Sequence, residues 1–101
     1  MFGLYGKMTA HRGQRDALIH LMLNAAQSLS DMEGCYLYVI NRATDDPDAI
    51  WIYEVWRSQA DHQASLSNEA VKQVIASARP LIAGMSDRTE LVPLGGKGIP
   101  D

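Results

Sequence analysis

The sequence predicts an α+β fold, a four-stranded antiparallel sheet with two helices packed against one of its faces. Three observations carry this. The chain has 101 residues, 47% of them hydrophobic and 21% charged, enough for one compact core and too short for a second. Apolar residues recur at helical spacing in two stretches and crowd into β-branched and aromatic runs in four others. The stretches alternate in the order strand, helix, strand, strand, helix, strand.

Residues 3–10, Gly-Leu-Tyr-Gly-Lys-Met-Thr-Ala, read as the first strand, although Gly3 and Gly6 pack nothing and weaken it. Between Gln14 and Ser30, the residues Leu18, Leu21, Met22, Ala25 and Leu29 recur at intervals of three and four and mark one helical face. Ile19, Leu23 and Ala26 widen the stripe, which suggests burial against more than one neighbour. Gly34 suits a left-handed turn leading into the strand Cys35 to Ile40. The turn formers Ala43 to Asp48 separate it from Ile50 to Trp56, so the two strands should form an antiparallel hairpin.

Ser58 with Asp61 resembles a helix N-cap and its first-turn acid, opening a short helix to about Ser65. Asn68 can cap a second helical segment carrying Val71, Val74, Ile75 and Ala78, in which Glu69 can pair with Lys72 and which Pro80 ends. Arg88 to Leu94 reads as the last strand. Right-handed crossovers on this order give the ferredoxin-like βαββαβ sandwich. One domain should span residues 1–94, with the glycine-rich residues 95–101 as a flexible tail.

Strands two and three are apolar on both faces. Tyr36, Tyr38 and Ile40 oppose Leu37 and Val39, while Ile50, Ile52 and Trp56 oppose Trp51, Tyr53 and Val55. Two helices cover only one face, and a sheet that meets water on the other normally alternates apolar with polar. An uncovered aromatic face would be larger than soluble monomers tolerate, so a homodimer packed sheet on sheet is expected. Glu54, a carboxylate inside an apolar strand, needs a partner, for which Arg79 or Arg57, of the same chain or of the other subunit, is the candidate in a structural ion pair.

A net charge of −3 with no block of like sign argues against a nucleic-acid or membrane partner. The single cysteine, Cys35, excludes an internal disulfide, and no histidine pair sits at metal-ligand spacing, so no metal is expected. With no apolar run long enough to span a bilayer and no leader pattern at the N-terminus, a cytoplasmic location is expected. The methionines, Met85 among them, read as core fillers, and His11 and His20 as surface residues.

The segment Gly34-Cys35, the acidic hairpin Asp45-Asp46-Pro47-Asp48 and above all Tyr53-Glu54-Val55-Trp56-Arg57-Ser58 leading to Asp61-His62 resemble the antibiotic biosynthesis monooxygenase (ABM) domain, including quinol monooxygenase-like members. The resemblance runs from about Leu4 to Leu94 and implies a dimeric α/β barrel of two ferredoxin-like sheets. It also implies a cofactor-independent monooxygenase that oxidises an aromatic quinol or polyphenol with molecular oxygen, without flavin, heme or metal. On that reading His62 is the base and Trp56 the second catalytic candidate, while Tyr38, Tyr53 and Asn24 bind the substrate by stacking or hydrogen bonding.

Many members of the family carry a histidine nine residues after the tryptophan, where this chain has Ser65, and His62 lies three residues earlier. The Asn, Trp and His triad of a heme-degrading branch falls on Gly6, Ser65 and Ile75, so that activity is not implied. The alternative from a different class is a non-catalytic dimeric binding domain for a small aromatic or apolar metabolite. A third reading is a structural dimer with a collapsed interior. Polar side chains turned into a cavity favour the enzyme, an all-apolar cavity the binder, and no cavity the structural dimer.

Overall fold

The computed structural model describes residues 1–100. Its elements are β1 (Phe2–Ala10), α1 (Arg15–Ser28), β2 (Cys35–Arg42), β3 (Ala49–Trp56), α2 (Gln59–Ser65), α3 (Glu69–Ala78), a 3-10 turn at Arg79–Leu81 and β4 (Ile82–Leu91). The strands form one antiparallel sheet in the order β2-β3-β1-β4, the ferredoxin-like arrangement. No helix among the described residues is long and apolar enough to cross a membrane.

Strand register sorts the side chains into two faces. Leu4 and Tyr38 flank Glu54, Met8 flanks Ile50, and Ile40 flanks Ile52; these residues, with Trp56, face the helices. Leu18, Met22 and Ala25 of α1 are buried, as are Val71 and Ala78 of α3. One core cluster joins Met8, Leu18, Met22, Ile50 and Ala78, and a second joins Leu29, Trp56 and Val71. Leu23 is 53% exposed, so the stripe on α1 is narrower than its apolar residues suggest. Arg15 ties the start of α1 to the β2–β3 hairpin, donating to the Ala43 and Asp46 carbonyls at 3.2 and 2.7 Å.

On the other face Tyr5 stacks on Trp51 at 5.3 Å, meets Tyr53 edge-on at 5.9 Å, and Lys7 Nζ sits 5.9 Å from the Trp51 ring centre. No helix among the described residues covers this outer face. Tyr36 is the additional residue of a bulge between Cys35 and Leu37, so it leaves the alternation in which it had been grouped with Tyr38 and Ile40.

The caps form as their residue types dictate. Ser58 Oγ accepts the Asp61 N–H at 3.1 Å, and Asn68 Oδ1 accepts the Val71 N–H at 3.1 Å. Lys72 approaches Glu69 to 3.8 Å. Gly34 does not adopt the left-handed turn its type suggested; it is buried, and a Cβ there would lie 2.6 Å from Asp61 Cγ. Its role is close approach, letting the first turn of α2 pack on the β2 entry.

The last strand begins six residues earlier than the sequence indicated, at Ile82, and ends at Leu91. Gly84, Ser86 and Asp87 are poor strand formers, and β1 supplies the pairing that overrides their preference. Between Tyr5 and Lys7 the pairing slips by a bulge at which Asp87 takes φ of 57°. Met85 on this strand is 71% exposed and does not fill the core.

Candidate functional site

Between the helix-facing side of the sheet and the helices lies a cavity of about 320 Å³, lined mainly by apolar side chains such as Met22, Leu29 and Val74. Its polar wall is built by β2, β3 and α2. Residues 54 and 56 are two apart on a strand and so share a face, which directs both Glu54 and Trp56 inward. Trp56, 1% exposed, donates its indole N–H to Glu54 Oε1 at 3.0 Å.

His62 enters from the first turn of α2, which Gly34 allows to sit against the sheet. Its Nε2 lies 3.8 Å from the same Glu54 oxygen. The ring is held between Trp56, edge-on at 5.5 Å, and Phe2, tilted at 5.6 Å. His62 Nδ1 is sealed from solvent and has no hydrogen-bond partner. Ser65 is buried and donates its hydroxyl to the His62 carbonyl at 2.6 Å.

Burial dominates the protonation of this wall. It raises the Glu54 carboxyl above its ordinary value, against the Trp56 hydrogen bond and the Arg88 charge, which lower it. Burial lowers the His62 imidazole, Arg88 adds to that, and Glu90 opposes it. Tyr38 is pushed up, first by burial and then by the charges of Glu54 and Cys35, so its phenol stays protonated. Cys35 is raised by burial and by Glu54, which keeps the thiol protonated and unreactive.

Of the five residues singled out from the sequence, the fold brings His62, Trp56 and Tyr38 to the cavity. Tyr53 points to the outer face, where it meets Tyr5, because strand alternation opposes it to Glu54. Asn24 is exposed, because Met22 and Ala25 take the inward positions of α1. His11 and His20 are exposed.

Within the chain, Glu54 is not paired with the arginines expected from the sequence. Its partners are Trp56 and His62, with neither Arg57 nor Arg79 bonded to it; Arg57 instead grips Asp61 through two bonds of 2.9 and 3.0 Å. The i, i+2 spacing of Glu54 and Trp56 was the available signal. A second, more open groove beside β1 and β4 is lined by Gly6, Ser86 and Arg88, and it shares Met8, Glu54 and Met85 with the cavity. Among the described residues no group of three or more His, Cys, Asp or Glu side chains could hold a metal ion.

Fold and site together define a class: a small ferredoxin-like domain whose sheet and helices enclose an apolar cavity with a carboxylate and an imidazole in its wall. The chain belongs to the antibiotic biosynthesis monooxygenase family, whose sequence model matches residues 1–77. A "putative antibiotic biosynthesis monooxygenase" from Chloroflexus aurantiacus J-10-fl is 52% identical, with TM-score 0.91 and 98% of each chain covered. Two proteins of the same description share the fold at lower identity. The one from Deinococcus radiodurans is 22% identical, with TM-score 0.81 and 100% of both chains covered. The one from Caulobacter crescentus CB15 is 16% identical, with TM-score 0.85 and 93% and 90% covered. No curated protein matches the chain.

Proposed function

We propose that the chain is a cofactor-independent monooxygenase that oxidises an aromatic quinol or polyphenol with molecular oxygen. The observation that carries this is the proton-accepting pair, Glu54 and His62, set in the wall of an otherwise apolar cavity. At about 320 Å³ the cavity lies at the small end of ligand sites and suits a one- or two-ring aromatic.

An ionised phenol is electron-rich enough to pass an electron to oxygen, so the protein has to ionise and position it. A phenol of pKa about 10 is roughly three units too weak an acid at pH 7, a deficit of about 4 kcal/mol. A base beside the hydroxyl, in a site that excludes water, supplies the ionisation. Trp56, Met22 and Leu29 pack the ring, and the protonated Tyr38 offers a donor to an oxygen. In the net reaction a quinol and O₂ give a hydroxyquinone and water. One oxygen atom enters the ring, the other leaves as water, and the substrate supplies all the electrons.

The test is oxygen uptake by purified protein free of metal and flavin, with a panel of hydroquinones and naphthols. Uptake with at least one, falling about 10²-fold or more in the double variant Glu54→Gln, His62→Ala, which removes the proton-accepting pair, is the expected result. Tight binding across the panel without uptake would replace the enzyme by a metabolite-binding domain.

We also propose that the protein works as a homodimer, its outer aromatic face closed by a second copy. Tyr5 and Val39 there are each 39% exposed beside Trp51 and Tyr53. Sedimentation as a dimer at micromolar concentration is expected, and a folded monomer would end the barrel reading. The half-buried, unreactive Cys35 is compatible with a reducing cytoplasm as the working compartment.

A further inference from the structure

Within the Glu54 and His62 pair, the two groups are not equally placed to meet a ligand. His62 Nε2 faces Glu54, and Nδ1 is enclosed without a partner and without solvent contact. Glu54 uses Oε1 for the Trp56 indole and the His62 contact. Its Oε2 makes no hydrogen bond and is not among the sealed atoms, and the residue borders both the cavity and the groove beside β4. The free acceptor on this wall is therefore the second carboxylate oxygen.

We propose that Glu54 is the residue that recognises the aromatic hydroxyl: Oε2 accepts its hydrogen bond and then its proton, while the Trp56 indole holds the carboxylate through Oε1, with His62 beside that oxygen. As a catalytic residue it deepens the reading given under Proposed function and rests on it. The proton moves from the phenol oxygen to Oε2, leaving a phenolate and a neutral carboxylic acid. The shared lining with the open groove gives that proton a way to solvent without crossing the bound ring.

The charged and titratable groups around Glu54 come from every neighbouring element. Tyr38 and Cys35 stand on β2, His62 on α2, and Arg88 and Glu90 on β4, while Arg79 of the 3-10 turn lines the same cavity and Lys7 of β1 the same groove. Tyr38 and Cys35 stay protonated near neutral pH. Arg88 is paired at 3.0 Å with Glu90, and the two charges act in opposite directions on His62. On this wall burial raises the Glu54 carboxyl and lowers the His62 imidazole, and Glu54 is the one whose unbonded oxygen is open to a ligand.

The experiment compares the binding of a naphthol with that of its methyl ether, without oxygen, by calorimetry at several pH values. The ether keeps the rings, is larger by one methyl group and cannot donate, so the change of preference between the native protein and Glu54→Gln carries the assignment. The native protein should prefer the naphthol by about tenfold, as a charge-assisted hydrogen bond does, and the preference should fade as acid protonates Glu54. Glu54→Gln keeps an oxygen for the Trp56 N–H but carries no charge, and should bring the preference down to about threefold or less. His62→Gln should keep most of it.

Glu54→Asp, which restores the charge on a shorter arm, should recover part of the preference. Circular dichroism verifies the fold of each variant. An unchanged preference in Glu54→Gln, a preference lost only in His62→Gln, or no binding of either ligand to the native protein would each overturn the assignment. A Glu54-dependent preference without oxygen uptake on the wider panel would instead retain this site and remove the monooxygenase reading.

Discussion

Replacing Trp56 by Phe isolates the hydrogen bond that anchors the cavity wall. The indole N–H donates to Glu54 Oε1 at 3.0 Å from a ring that is 1% exposed, so the variant loses one donor and part of a packed ring. A hydrogen bond to a charged group is worth about 1.5–3 kcal/mol, and shrinking a buried aromatic adds about 1 kcal/mol or more. The expected loss at pH 8 is about 3 kcal/mol.

The pH dependence separates the two contributions. The bond favours the ionised carboxylate, and Glu54 already titrates above its ordinary value in the folded protein. Removing the donor raises it further. The extra penalty is fully present above the folded pKa and fades as pH falls towards the unfolded value, because a neutral carboxyl no longer needs the donor to the same degree. Urea unfolding, followed by the remaining Trp51 fluorescence between pH 8 and pH 4.5, measures it. A stability loss that is the same at every pH would show that the indole does not bear on the carboxylate.

Three further changes have defined outcomes. His62 is depressed in the folded protein, so the unfolded chain binds more protons below about pH 6.5 and stability should fall as pH drops from there through the folded pKa; His62→Gln should flatten that decline in thermal melts. Gly34→Ala drives a methyl to 2.6 Å from Asp61 Cγ and 2.7 Å from its Cβ, which only a shift of α2 can relieve, and should cost about 1–3 kcal/mol in urea titrations. Gly84→Ala meets nothing within 4 Å and has no positive φ, so it should stabilise by about 0.5 kcal/mol in the same assay; a loss of stability would mean that β4 is held differently.

The elements that the sequence made legible are those where local chemistry and packing agree. Ser58 and Asn68 cap the helices their types announce, and Leu18, Met22 and Ala25 bury the face their spacing marks. The β4 boundary was hidden because Gly84, Ser86 and Asp87 have no intrinsic strand preference and are held by pairing with β1, a contact distant in sequence. Gly34 misled because a glycine can serve a left-handed turn or a close approach, and only the position of Asp61 distinguishes them.

Within the site, Trp56 and His62 reach the cavity from the end of β3 and the helix that follows it, and Tyr38 reaches it from β2. Tyr53 and Asn24 were misplaced because residue type says nothing about which face a side chain takes until a register is fixed. Glu54 looked like half of an arginine pair because burial of a carboxylate is legible but its partner is not.

The bulge on β4 bears on how copies of this chain can meet. A long strand at the rim of a sheet offers unpaired amide and carbonyl groups to any other strand, the route to runaway stacking. Here that rim is bent where Asp87 turns to φ of 57°, and Asp87, Arg88 and Glu90 follow one another with little space between charges. Lateral zippering is thereby discouraged along that border.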